Sequence, residues 1–285
     1  MDKDFIEKMT ESISRGDLVP YLGPYALQGV TNIETGHPIP ADSESLILAM
    51  NNGTPMAPRL MYEFPRAAMN LELKRGRKFV EDFLTTTYGD NQWTQGPMHR
   101  WIASLNAPYV IDINRDTQLQ DLYSDREYLL ILGTARVSAT DYRFKLFHHD
   151  NGVYTEIEQK DADHSLPVLF KPMGSPVPQA TYVAADADYV DYITELMGGF
   201  AIPDFLKKYR IGKRYLLLGL PLTRDTERMV LSDLIYGADE QAGFALISEP
   251  NKKEARFCAN KNIELISEDC LTLLDDSSEK AAAVG

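Results

Sequence analysis

The chain has 285 residues, 44% of them hydrophobic and 25% charged, an ordinary globular composition with enough apolar side chains for a sizeable core. Its 42 Asp and Glu outnumber 29 Lys and Arg, for a formal net charge of −13, which argues against a nucleic-acid surface because that needs clustered cations. No run approaches the roughly 20 apolar residues of a membrane span, "MDKDFIEKMTESISRG" lacks the apolar core of a secretory leader, and Cys258 and Cys270 are not spaced as zinc ligands; a cytoplasmic protein with no zinc or other metal and no membrane partner is expected.

Phe5, Ile6, Met9 and Ile13 recur at helical spacing before Gly16, which predicts a helix over 2–15. Residues 18–22 are a buried apolar strand running into Gly23-Pro24-Tyr25. After a loop rich in Gly, Pro, Asn and Thr, "ADSESLILAMNNG" predicts a helix capped by Asp42 or Ser43 and stopped at Gly53. Residues 56–87 hold two more helices, parted near "KRGR", and "GPMHRWIASLN" makes another. The helical stretch 41–105 is too long for one crossover and is expected to form a small lobe. A second strand follows at 108–113, and "DREYLLILGTARV" carries a third. In "YRFKLFHHDNGVYTEIE" two apolar runs flank Asp150-Asn151-Gly152, where Asn-Gly supplies the positive φ of a tight turn; an inserted hairpin is expected over about 141–158. "LPVLFKPMG" is a fourth strand, and 186–197 and 203–210 read as helices. "RYLLLGL", "GFALIS" and "IELISE" then alternate with helices from Asp225 to about Tyr236 and over 251–262, and the tail 276–285 frays. Nearly all-apolar strands alternating with helices indicate a parallel sheet covered on both faces. The expectation is a single α/β domain over 1–275: a doubly wound, mainly parallel, Rossmann-like sheet with a smaller helical lobe and an inserted β-hairpin.

Ligands of such sheets sit at the carboxyl ends of the strands. The segments there are Gly23-Pro24-Tyr25-Ala26-Leu27, Asp112-Ile113-Asn114-Arg115-Asp116, Lys171-Pro172-Met173-Gly174-Ser175, Gly219-Leu220-Pro221-Leu222 and Ser248-Glu249-Pro250-Asn251. In this order they resemble the signatures of the sirtuin-like domain family, in its bacterial branch without the zinc module, from about Asp17 to about Asp269. Many members of that branch are NAD glycohydrolases. The resemblance implies a site for NAD or ADP-ribose contacted by Gly23, Pro24, Tyr25, Asn114, Asp116, Met173, Gly174, Gly219 and Leu220. It also implies that Asn114 is the catalytic asparagine beside the nicotinamide ribose. Absence of the zinc-ribbon cysteines disfavours a protein deacylase.

Three positions depart from the family pattern. Met173 stands where the family has a histidine base, and a thioether takes up no proton near neutral pH. Base assistance of about 10²–10⁴-fold is thereby lost. Pro221 replaces a serine and offers neither hydroxyl nor N–H. Tyr25 puts a ring where a glycine lets a pyrophosphate approach. All three make the site less polar and less open. The expected function is therefore a catalytically impaired, sirtuin-like binding or regulatory protein that works through a protein partner and senses NAD or ADP-ribose. The alternative is an NAD glycohydrolase with a rearranged site.

Other residues are read more plainly. His164, His148 and His149 are substitute bases by type only, and the last two point to opposite faces of their hairpin. Asp116 either orients a sugar or caps the helix that begins at "DTQLQDLY". Arg115 is expected in a surface ion pair, Lys171 at a strand-end surface, and Met173 as an apolar plug in the pocket. Tyr142, Phe144, Phe147 and Tyr154 make the hairpin a candidate partner surface or a buried face. The methionines of 56–70 are core or the wall of a groove over the cleft. Homo-oligomerisation stays open.

Overall fold

The computed structural model describes residues 3–135 and 142–274. The predicted tail at 276–285, the hairpin's first residue at 141, and Arg136 and Val137 of the third-strand stretch lie outside the described residues. Helix α1 (Lys3–Ser14) leads into β1 (Leu18–Leu22), and α2 (Ser43–Met50), α3 (Phe64–Arg75), α4 (Arg77–Thr85) and α5 (Pro97–Ser104) precede β2 (Tyr109–Asp112). Next come α6 (Gln118–Leu122), β3 (Tyr128–Gly133), the hairpin β4 (Phe144–Asp150) and β5 (Val153–Glu156), then β6 (Val168–Lys171) and the short ribbon β7 (Gly174–Ser175) and β8 (Thr181–Tyr182). The chain ends through α7 (Asp186–Gly198), α8 (Asp204–Tyr209), β9 (Arg214–Leu218), α9 (Asp225–Leu234), β10 (Gly243–Leu246), α10 (Lys252–Asn260) and β11 (Ile263–Ile266).

Nine strands form one sheet in the order β11-β10-β9-β1-β2-β6-β3-β4-β5. It is parallel from β11 to β3 and antiparallel only where β4 joins β3 and β5 joins β4. The predicted α/β, mainly parallel, doubly wound architecture is the one observed. The hairpin extends the edge of the main sheet, and Asn151 (φ 47°) and Gly152 (φ 79°) close it in the left-handed region that its sequence selects. Pro20 sits in a central strand, an uncommon place for a residue without an N–H. The ladder to β9 runs the length of β1, whereas the ladder to β2 begins at Tyr21, one residue past the proline.

Alternation along the strands feeds two cores. Val19 and Tyr21 of β1 enter the cluster beneath α7, α8 and α9, while Leu18 and Leu22 enter the one beneath α1 and α5. A third cluster runs from Leu27 to Tyr88 and takes in Tyr182, Ala184 and Ala185. That is the lobe, built on α2, α3 and α4. Helix α5 instead packs Met98, Trp101 and Ile102 against the sheet. Asp42 caps α2 by accepting the Ser45 N–H at 3.0 Å, and Gly76 parts α3 from α4.

The lobe is fastened to the sheet body by Arg77. It pairs with the buried Asp188 of α7 and donates to the Tyr182 carbonyl at 2.9 Å. Asp188 also accepts the N–H groups of Ala184 and Ala185, capping α7. In the hairpin Phe144 and Phe147 are buried in the two sheet cores, and the Tyr154 hydroxyl bonds that of Tyr128 at 2.7 Å. Met56, Met61 and Met69 pack against the lobe core, and Met61 also lines the cleft described next.

Candidate functional site

Between the sheet's carboxyl edge and the lobe lies a cleft of about 290 Å³, at the lower edge of the range for small-molecule sites. Its floor comes from the ends of β1, β2, β6 and β9: Pro24 and Tyr25, Asn114 and Arg115, Met173, and Pro221. The lobe supplies the roof through Asp42, Ser43, Tyr62, Glu63 and Phe64, and α9 closes one side with Glu227. The location follows from topology. The chain leaves β1 toward β2 on one side and later places β9 on the other, so the loops after β1 and β9 diverge and leave a crevice.

The turn after β1 is knitted to the turn after β9 by backbone. Gly23 N–H donates to Leu218 O at 2.9 Å, Tyr25 N–H to Gly219 O at 2.9 Å, and Ala26 N–H to Gly23 O at 3.0 Å. Pro24 has no N–H. A Cβ on Gly23 would lie 2.5 Å from Leu220 Cα, and one on Gly219 (φ 64°) would lie 2.4 Å from Ala26 N. These glycines thus serve the approach of two loops. Residues 23–26 hold no unengaged amide for a phosphate, although phosphate cradles are built from such amides. Tyr25 is 49% exposed and stands at the mouth rather than filling the cleft.

Asn114 is held from below. Its side-chain Nδ2 donates to Gly23 O at 2.9 Å and to Asp112 Oδ1 at 3.0 Å, and its own N–H reaches the same Oδ1. Both partners are acceptors, which sets the amide orientation and leaves the Asn114 carbonyl oxygen as the group offered to the cleft. Asp112 in turn accepts Lys171 Nζ at 2.5 Å, with both side chains sealed from water. Burial pushes the Asp112 carboxyl up, and the Lys171 ammonium pulls only part of that back.

Lys171 is therefore not at a strand-end surface as expected from sequence: it is the buried counter-ion of Asp112, because β2 and β6 are neighbours in the sheet. Arg115 is likewise buried and not in a surface pair. It donates to Val183 O and to the Tyr189 hydroxyl, and its guanidinium lies 5.4 Å from the Phe64 ring centre, tying β2 to α7 and the lobe. Asp116 does not line the cleft; it accepts the Gln118 N–H at 2.8 Å, a local turn at the start of α6. Its other oxygen is buried without a partner among the described residues, as are both ring nitrogens of His99. One donor atom each from His99, Asp112 and Asp116 lies within 4.8 Å of the others, the donor set of a cation site, but Lys171 already supplies positive charge there. Burial holds the His99 imidazole below its usual range.

Of the nine sequence-predicted contact residues, Pro24, Tyr25, Asn114 and Met173 line the cleft. Gly23 and Gly219 lie behind it in the loop junction, Leu220 is core, and Gly174 is pressed against Thr181 O in the β7–β8 ribbon. Asn251, in the fifth sequence signature, is the N-cap of α10 and accepts the N–H groups of Lys253 and Glu254. His148 bonds Glu127, His149 bonds Arg126 O, and His164 stacks on Phe205; none lines the cleft. Pro221 does line it.

A model of the SIR2-like domain family matches residues 110–266, more than half of the chain, from within β2 to the end of β11 and without β1. The chain belongs to the SIR2-like domain family. No curated protein matches it. This SIR2-like protein thus has a sirtuin-like, NAD-related scaffold, and among its described residues no cysteine cluster forms a zinc site: Cys258 and Cys270 are separate and buried. No described helix is long and apolar enough to cross a membrane.

Sequence reasoning missed Glu227 and Arg224 of the SIR2-like cleft. Arg224 lies 3.2 Å from the ring centre of Tyr62, bridging the cleft's mouth. Glu227 accepts the Arg224 N–H at 3.3 Å, and burial pushes its carboxyl up to about 7. The one signal available was position: both residues open the helix after a strand whose carboxyl end faces the ligand edge.

Proposed function

We propose that this SIR2-like protein is catalytically impaired, binds NAD or ADP-ribose in the cleft under the lobe, and reports that binding to a protein partner. The observation that carries the reading is Met173. It is buried in the cleft wall at the position that the resemblance gives to the base, and no described histidine lines that cleft. The engaged amides of residues 23–26 and the engaged Asn114 Nδ2 support the impairment, since donors already satisfied within the protein give a ligand nothing new. Two buried thiols are in keeping with a cytoplasmic, reducing setting.

The test is incubation with NAD and measurement of nicotinamide release, with Asn114→Ala as control. Release that disappears in the variant defeats the impaired reading. Calorimetry with NAD and with ADP-ribose tests the sensing; no heat at millimolar ligand removes it. A second reading, an NAD glycohydrolase with a rearranged site, is favoured by one observation. Glu227 places a carboxylate that titrates near neutral pH in the same cleft as Asn114.

A further inference from the structure

The cleft mixes donors with acceptors: Arg115 in its floor is a cation that reaches Val183 O and the Tyr189 hydroxyl, whereas Asn114 and Glu227 offer acceptor oxygens. Asn114 presents its carbonyl oxygen because both of its hydrogen-bonded partners take protons from Nδ2. The β1 turn has no unengaged amide. Glu227 uses Oε2 to cap its own helix at Arg224 N–H, while Oε1 has no partner among the described residues. The other lining carboxylates are placed differently. Asp42 is engaged as the α2 cap, Glu63 lies 3.8 Å from Arg66, and Glu44 is exposed on the rim. Two acceptor oxygens in one cleft, on Asn114 and Glu227, suit a ligand that brings donors. A sugar diol brings two, and a carboxylate one turn into the helix after a sheet strand is well placed to take them.

We propose that Glu227 is the ligand-holding carboxylate of this cleft: Oε1 accepts a hydrogen bond from a sugar hydroxyl of a ribosyl ligand, and the carboxyl gives up its proton as that ligand binds. The inference rests on the nucleotide-sensing reading above. The charges around Glu227 are consistent with a proton held in the empty site. From its own helix Arg224 and Arg228 favour the carboxylate, while burial and Glu63 of the lobe oppose it. Tyr21 of β1, Tyr25 of the β1 turn and Tyr189 of α7 also face it. Arg228 is partly occupied elsewhere, donating to Leu222 O and pairing with Asp225. A hydroxyl donated to the carboxylate stabilises its charged form, so binding strengthens as pH rises through the range where the empty site loses its proton.

The experiment is titration calorimetry of the full chain with ADP-ribose at pH 5.5, 7 and 8.5, in buffers of different ionisation enthalpy, on wild type and Glu227→Gln. Wild type is expected to release roughly half a proton per ligand at pH 7 and to bind about 10- to 30-fold tighter at pH 8.5 than at 5.5. Glu227→Gln, whose amide oxygen still caps Arg224 N–H, is expected to bind more weakly at pH 8.5 and to show neither effect. Glu227→Asp keeps the charge but withdraws it by one methylene, and should retain the pH dependence at lower affinity. Equal affinity and equal proton release in wild type and Glu227→Gln overturn the role of Glu227 while leaving the nucleotide reading intact. No binding of ADP-ribose or NAD to wild type overturns both.

Discussion

Lys171→Met removes the ammonium that neutralises Asp112 where neither group meets water: Lys171 is 1% and Asp112 0% exposed. Two of the three hydrogen bonds that Asp112 accepts come from Asn114, so the variant leaves the carboxylate hydrogen-bonded but without a counter-charge. Breaking a buried pair in this way costs about 3–5 kcal/mol, a large part of the roughly 5–15 kcal/mol that holds a typical domain. For a chain of this length that corresponds to about 6–10 °C in Tm. The loss is pH-dependent. With its counter-ion gone, Asp112 escapes by staying protonated in the folded state, so its folded pKa rises further above the unfolded value. The penalty is then small at low pH and grows as pH climbs from the unfolded toward the folded pKa. Urea denaturation followed by far-UV circular dichroism should therefore show a larger deficit at pH 8 than at pH 5. The double variant Asp112→Asn/Lys171→Met, which buries no charge, should recover half of the loss or more. A single-variant deficit under about 1 kcal/mol, or a double variant no better than the single, refutes the buried-pair account.

Gly23→Ala would place a methyl 2.5 Å from Leu220 Cα and 2.6 Å from Gly219 O. Because both obstacles are backbone, the loops after β1 and β9 must part; a loss of about 2 kcal/mol or more is expected, and an unchanged thermal midpoint would count against the knitted junction. Met173→His puts an imidazole in the cleft wall, at the position that the resemblance gives to the base. Nicotinamide release from NAD should rise about 10²-fold or more, and a folded variant no faster than wild type would show that the missing base is not what limits turnover. Glu227 has a raised carboxyl pKa of about 7 against an ordinary 4.5, so folding carries a penalty that is absent below pH 4.5 and complete above pH 7. Glu227→Gln should be more stable than wild type at pH 8 by about 1–3 kcal/mol and equal to it at pH 4.5; the same denaturation midpoint at both pH values contradicts this.

What could be read along the chain was local. Gly16, Gly53 and Asn151-Gly152 stop or turn the elements that their conformations allow, and Leu18 to Leu22 is apolar on both faces because both faces are covered. Those rules act within a few residues, so the strands and most helices were legible. The order of loops at the ligand edge was legible too, since alternation of strand and helix implies a parallel sheet and a parallel sheet puts those loops on one side. Lys171 and Arg115 were not legible. Each looks like a surface cation when its sequence neighbours are considered, and each is buried because its partner arrives from elsewhere: Asp112 on the adjacent strand β2, Val183 just before α7 and Tyr189 within it.

The same division runs through the site. Residue types after β1, β2, β6 and β9 pointed to segments whose residues line the cleft, and the resemblance placed Met173 at the position of a histidine. Which hydrogen-bonding atoms remain to meet that ligand was decided only by tertiary structure. Gly23 and Gly219 face each other's loops, the amides of Tyr25 and Ala26 are engaged, and Asn114 keeps only its oxygen. Glu227 enters because α9 starts where β9 delivers it. A sequence specifies donors and acceptors; their satisfaction depends on distances between segments up to about 200 residues apart, and those distances exist only once the sheet has formed.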